Sequence, residues 1–132
     1  MKVSHIGIAV KSVKTSGALL ERLLGQKPDH REQVADQGVQ TVTFHLGETS
    51  IELLESSSPG SSIAKFIEKR GEGIHHLSFA VDNILRELAR LKKDGFQLID
   101  ETPRPGVDNT LIAFVHPKST NGVLIELSQK RG

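Results

Sequence analysis

Cysteine, tyrosine and tryptophan are all absent from this chain, and phenylalanine is left as its only aromatic residue, five in all. Without cysteine, disulfides and thiol chemistry are excluded. So few aromatics leave no basic stretch with rings for stacking on bases. No apolar run reaches the length of a membrane span. Charge of one sign is also lacking: 17 Lys and Arg face 16 Asp and Glu, a net charge near +1. That balance gives no general pull toward nucleic acid or an anionic membrane. Met1-Lys2 passes straight into a strand-like segment, with no signal-peptide pattern. The expected location is cytoplasmic, with neither nucleic acid nor membrane as a partner.

What is present is a repeat. His5-Ile-Gly-Ile-Ala-Val10 returns as His76-Leu-Ser-Phe-Ala-Val81, and Ile51-Glu-Leu53 returns as Ile125-Glu-Leu127. The His copies stand 71 residues apart and the Glu copies 74, so the halves differ by a small insertion. At 132 residues the chain holds one domain's worth of core. The repeat therefore divides a single domain, residues 1–132, into module one (1–55), a linker with a short helix (56–72) and module two (73–132).

Apolar alternation predicts a strand over Val3–Val10. A helix follows, capped by Ser12, closed by Gly25 and carrying Val13, Leu19, Leu20, Leu23 and Leu24 as apolar positions. Strands are expected over Val39–Leu46 and Thr49–Leu54 around the Gly47-Glu48 turn, with a less regular piece near Gln33-Val34. Ser56 to Gly60 is a loop and Ser62–Lys69 a short helix. Module two repeats the order: a strand over Ile74–Val81, a helix capped by Asp82 and ended by Gly95, then strands over Phe96–Asp100, Leu111–Val115 and Gly122–Ser128. Pro103 to Gly106 reads as a rigid loop. The expected fold is α+β: two βαβββ modules forming a curved, mostly antiparallel sheet with helices on the outer face.

Strand parity selects the candidate site. His5 shares a face with Gly7 and Ala9, and His76 with Ser78 and Ala80, while the larger apolar residues take the opposite face. If Ile51, Leu53, Ile125 and Leu127 pack against helices, Glu52 and Glu126 turn toward the histidines. An enclosed carboxylate is costly unless a cation or donor meets it. A divalent metal meets His5, Glu52, His76 and Glu126 together, and two imidazoles with one or two carboxylates suit Zn, Co, Ni, Mn or Fe(II). For any one of these residues alone, an ordinary hydrogen-bonded strand residue is the simpler account; repetition of type, parity and position favours a site. By the same parity His75 belongs with Leu77 and Phe79 on the helix side, as a structural residue or one that supports a ligand from behind. His45 and His116 are expected exposed beside hairpins, and His30 falls in a charged loop.

These segments resemble the vicinal oxygen chelate superfamily, built from paired βαβββ modules around a metal, and within it the methylmalonyl-CoA epimerases. The resemblance is carried by His5–Val10, Gly47 with Ile51–Leu54, Ile63–Phe66, Gly71-Glu-Gly-Ile-His-His76, Glu101-Thr-Pro-Arg-Pro-Gly106 and His116-Pro-Lys through Glu126. It implies interconversion of the (R) and (S) epimers of methylmalonyl-CoA, one divalent ion per chain (Co, Zn, Ni or Mn) on His5, His76 and Glu126 with Glu52 fourth, and a homodimer. Glu126 and Glu52 are the candidate proton-transfer groups. Several members carry a Glu three residues after the Gly of a Gln-Gly-Val stretch, as a base. Here Gln37-Gly-Val-Gln-Thr41 puts Thr41 in that place, so the second base is unassigned.

Three other readings share parts of the pattern. A lactoylglutathione lyase has a similar ligand set, and the segments around His76 and His116 argue against it. An extradiol-type dioxygenase usually needs a tyrosine, which this chain lacks. A non-catalytic small-molecule-binding protein of the same fold would not need four ligands on one face. Arg104, Lys118 and Lys130 are basic candidates for the phosphates of an acyl-CoA substrate, with solvated surface charge the simpler account of each.

Overall fold

The structure, a computed structural model, describes residues 1–131. Its elements run β1 (Lys2–Ala9), α1 (Val13–Leu24), β2 (His30–Val34), β3 (Val39–Leu46), β4 (Thr49–Ser56), α2 (Ser62–Arg70), β5 (Gly73–Ala80), α3 (Ile84–Lys93), β6 (Arg104–Pro105), β7 (Thr110–Val115) and β8 (Ile125–Lys130). The fold is α+β, and βαβββ occurs twice. The chain forms two compact units: His5–His75, and Met1–Ser4 with the residues from His76 onward.

Local signals set the elements of the first unit. Ser12 accepts from the Thr15 N–H at 3.1 Å and caps α1. Gly25, at φ 71°, closes the helix by donating to the Glu21 carbonyl. The strands lie in the order β2-β3-β4-β1, antiparallel except for the parallel β1–β4 pair. Val10, Val13, Val42, Phe44 and Leu53 form a core with Ile8, Leu20, Leu24 and Ile51 between α1 and one sheet face. Ala9, Val39, Leu54 and Ile63 form a second cluster on the other face, with Phe66 and Ile67 of α2 beside it. Leu19 and Leu23, expected among the apolar contacts of α1, are 54 % and 75 % exposed. The buried stripe runs through Val13, Gly17, Leu20 and Leu24, so the helical period turns these two leucines away.

The second unit repeats the plan in the order β5-β8-β7-β6, with β5–β8 parallel and the other pairs antiparallel. Val81, Ile84, Leu88, Leu91, Ala113, Val115 and Leu127 make its core, with α3 laid on the sheet. Three local expectations fail here. Asn83 caps α3, not Asp82: its Oδ1 accepts from the Arg86 N–H at 3.0 Å, while the Ile84 N–H goes to Gln129 Oε1 at 2.8 Å. Residues 96–100 form no strand beyond a Leu98–Val115 bridge, because the N–H groups of Ile99 and Asp100 share the Phe114 carbonyl and the Asp100 carboxylate takes the Phe114 N–H. The expected loop at Arg104-Pro105 instead supplies β6, paired with Ile112 and Leu111; proline is tolerated on such an edge. The last strand starts at Ile125, after a turn in which Gly122 has φ 86°.

Candidate active site

In the first unit, β1 carries His5 and its parallel neighbour β4 carries Glu52. The register sets Gly7 opposite Glu52, which turns the carboxylate to the face of His5. Donor atoms of His5 and Glu52 lie within 4.8 Å of one another. On its other side Glu52 has buried Thr43 as its partner. Burial lowers the His5 pKa from 6.5 to about 4, so at neutral pH the imidazole is uncharged and offers a lone pair.

The second unit repeats this register, with Ser78 opposite Glu126. Because serine replaces glycine, the Ser78 hydroxyl donates to Glu126 Oε1 at 2.7 Å. His76 is buried and meets the Phe114 ring edge-on, centroids 6.1 Å apart. Phe114 is also the β7 partner of Glu126. Glu126 itself is only 6 % exposed. Burial raises its pKa to about 7, against the opposing pull of the Ser78 hydrogen bond and the Arg104 charge. Arg104 stands 5.4 Å from the centre of the Phe114 ring and 3.5 Å from the Asp100 carboxylate. It acts on the electrostatics of Glu126 as well as being a basic residue of β6. Neither this role nor that of Ser78 was assigned from the sequence; the one available signal was Ser78 standing where the repeat has Gly7.

The other histidines have partners of their own. His75 lies edge-on to Phe66 of α2 at 5.1 Å, and burial lowers its pKa. His45 is exposed as expected, with Nδ1 2.7 Å from Ser50 Oγ. His116 is half-buried, not exposed, because its Nδ1 accepts from the Lys118 N–H at 3.0 Å and caps a single 3-10 turn. His30 lies in β2, not in a loop, and pairs with Glu32 at 2.9 Å. Lys118 and Lys130 are exposed. Thr41 is buried, its hydroxyl directed to the Glu32 carbonyl at 3.4 Å.

Residues 4–114 match the model of the glyoxalase/bleomycin resistance protein/dioxygenase superfamily. The chain belongs to that superfamily. Its relatives there include the uncharacterized protein YqjC of Bacillus subtilis, 39 % identical over 99 % of this chain and 94 % of that protein. An ethylmalonyl-CoA/methylmalonyl-CoA epimerase of Cereibacter sphaeroides is 35 % identical over 97 % of each chain. Among solved structures, a Streptomyces coelicolor methylmalonyl-CoA epimerase variant in complex with 2-nitronate-propionyl-CoA superposes with a TM-score of 0.94, at 28 % identity, covering 100 % of this chain and 96 % of that one. Methylmalonyl-CoA epimerases are thus full-length homologues of this superfamily member. Among the described residues, no helix is long and apolar enough to cross a membrane.

Proposed function

We propose that this chain is a metal-dependent isomerase that interconverts (R)- and (S)-methylmalonyl-CoA by moving the α-proton. The observation that carries the reading is the full-length similarity to methylmalonyl-CoA epimerases. The chemistry of the donor groups supports it. His5 is held neutral, as a metal ligand must be, and Glu126 is a buried carboxylate whose anion a cation would favour.

In this proposal His5, Glu52, His76 and Glu126 hold one divalent ion, each unit contributing one imidazole and one carboxylate. A bound divalent ion supplies Lewis-acid stabilisation of the negative charge that grows on the thioester oxygen as the α-proton leaves. The residues themselves manage the proton. Glu126, the more deeply buried of the two candidate carboxylates, is assigned the proton transfer on one face of the planar enolate. Ser78 orients this carboxyl by donating a 2.7 Å hydrogen bond to its Oε1. We further propose a cytoplasmic homodimer, with β2 and β6 offering strand edges to a second copy; gel filtration with light scattering reads its mass.

The deciding experiment incubates the metal-loaded protein with methylmalonyl-CoA in deuterium oxide. The expected result is deuterium at the α-carbon of both epimers and about one metal ion per chain, as a single mononuclear site requires. No exchange, together with turnover of the glutathione–methylglyoxal adduct, would overturn the epimerase reading. Metal-free protein without metal stimulation would favour a binding protein of the same fold.

A further inference from the structure

One carboxylate on the same face as His5 and Glu52 has no part in the proposed ligand set. Residues directly opposite one another in a sheet share a face. The register pairs Gly7 with Glu52, Glu52 with Thr43, and Thr43 with His30. The face of the site therefore extends across the first unit to β2, where Glu32, two residues beyond His30, also lies on it. Glu32 is the cross-strand partner of Thr41, the position left without a base. The face becomes apolar beyond Thr41 in the same row, at Leu54, and in the next row, at Val34 and Val39, and these residues pack with Ile63 and Phe66. Glu32 thus stands at the edge between the polar and apolar parts.

The group is held in place. Glu32 is half-buried, and its Oε1 lies 2.9 Å from His30 Nε2. A partly exposed pair of this kind contributes little to folding, and its side chains are 43 % and 32 % exposed, open to an incoming ligand. Adjacent strands are about 4.8 Å apart. A carboxylate on β2 is therefore displaced from one on β3 by a distance that a Glu side chain, or one bridging water, can span.

We propose that Glu32 is the second proton-transfer group, with His30 as its positioning residue, supplying from β2 the carboxylate that Thr41 does not provide. The inference rests on the epimerase reading. One Glu32 oxygen forms an O–H bond as the α C–H bond breaks, and the electron pair of that bond passes into the thioester enolate. Inversion then needs a donor that returns a proton to the α-carbon on its other face, the role proposed above for Glu126.

The test follows both epimers separately in deuterium oxide with metal-loaded Glu32→Gln. Interconversion is expected to fall about 100-fold or more. One epimer should still exchange its α-proton without inversion, and bound metal should stay at the parent level. Glu32→Gln combined with Thr41→Glu returns a carboxylate to the same face one strand inward, and should recover part of the interconversion. His30→Ala is expected to lower kcat with KM unchanged, and His30→Gln, which keeps an N–H donor, to recover part of that loss. Interconversion at the parent rate by Glu32→Gln would overturn the assignment, as would loss of metal from that variant. A parent protein that exchanges no α-proton overturns the epimerase reading itself, and this inference with it.

Discussion

The two units place one His and one Glu in matching register, yet their carboxylates are set differently. Glu52 faces a glycine across β1 and is half-buried; Glu126 faces a serine across β5 and is buried. The histidines also differ, with His76 enclosed beside Phe114 and His5 only partly covered. Duplication supplied the frame, and single residues beside it then separated the environments. In the second unit burial raises the Glu126 pKa to about 7, and in the first it lowers that of His5 to about 4.

Breaking this asymmetry at its strongest point should have the largest effect. Glu126→Ala is expected to lower epimerisation about 10³-fold and to lower bound metal with it, read by kinetics and elemental analysis. Loss of activity with full metal would confine Glu126 to proton transfer. The cores compare next: Leu53→Ala and Leu127→Ala remove equivalent buried side chains and should each destabilise by about 3 kcal/mol. Denaturant unfolding then shows whether the two units melt in one transition or two.

Acidity divides the halves further, and the signs oppose. Between pH 4 and 6.5 the folded state binds His5's proton more weakly than the unfolded chain does, so this group makes stability rise with pH. Between pH 4.5 and 7 the folded state binds Glu126's proton more tightly, so that group makes stability fall. Each contribution is about 3 kcal/mol at most, and over the shared window they offset one another. In metal-free protein, Glu126→Gln should unmask a rise toward pH 6.5, and His5→Gln a fall toward pH 7, both followed by urea midpoints. Identical pH profiles for the two variants would contradict the contrast.

Smaller effects refine it. Ser78→Ala removes the donor that favours the Glu126 anion, so the carboxyl pKa should rise and stability should fall by about 1–3 kcal/mol, read by carboxyl infrared titration and urea midpoints. His75→Ala loses an edge-on ring contact worth about 1 kcal/mol and should retain its metal.

Short-range signals were the legible part of this chain. The Ser12 and Gly25 caps, the Gly47 turn and the burial of Leu53 and Leu127 follow from spacing and alternation. Parity also turned Glu52 toward the face of His5. What escaped depends on distant partners. Asp82 and Asn83 are both good caps, and the choice is made where Gln129 takes the Ile84 N–H. The segment 96–100 has strand-like residues, but Asp100 occupies the N–H of Phe114 that a ladder would need. His116 is drawn inward by a turn that begins only after it. The environment of Glu126 depends on Ser78 and Arg104, which lie on two other strands.

The parallel pairing of first and last strands has a consequence for how the protein reaches its working form. Each parallel pair joins the two ends of a βαβββ segment: Gly7 meets Glu52, and Ser78 meets Glu126, only after the intervening helix and hairpin have been gathered in. Such contacts span long loops and are closed at high entropic cost, which makes them slow to form. No helix or hairpin forming early can therefore bring β1 with its His5 to Glu52, or β5 with its His76 to Glu126, by itself. A nascent or partly collapsed chain would have little grip on a metal ion, and capture of the ion would report that each module has closed.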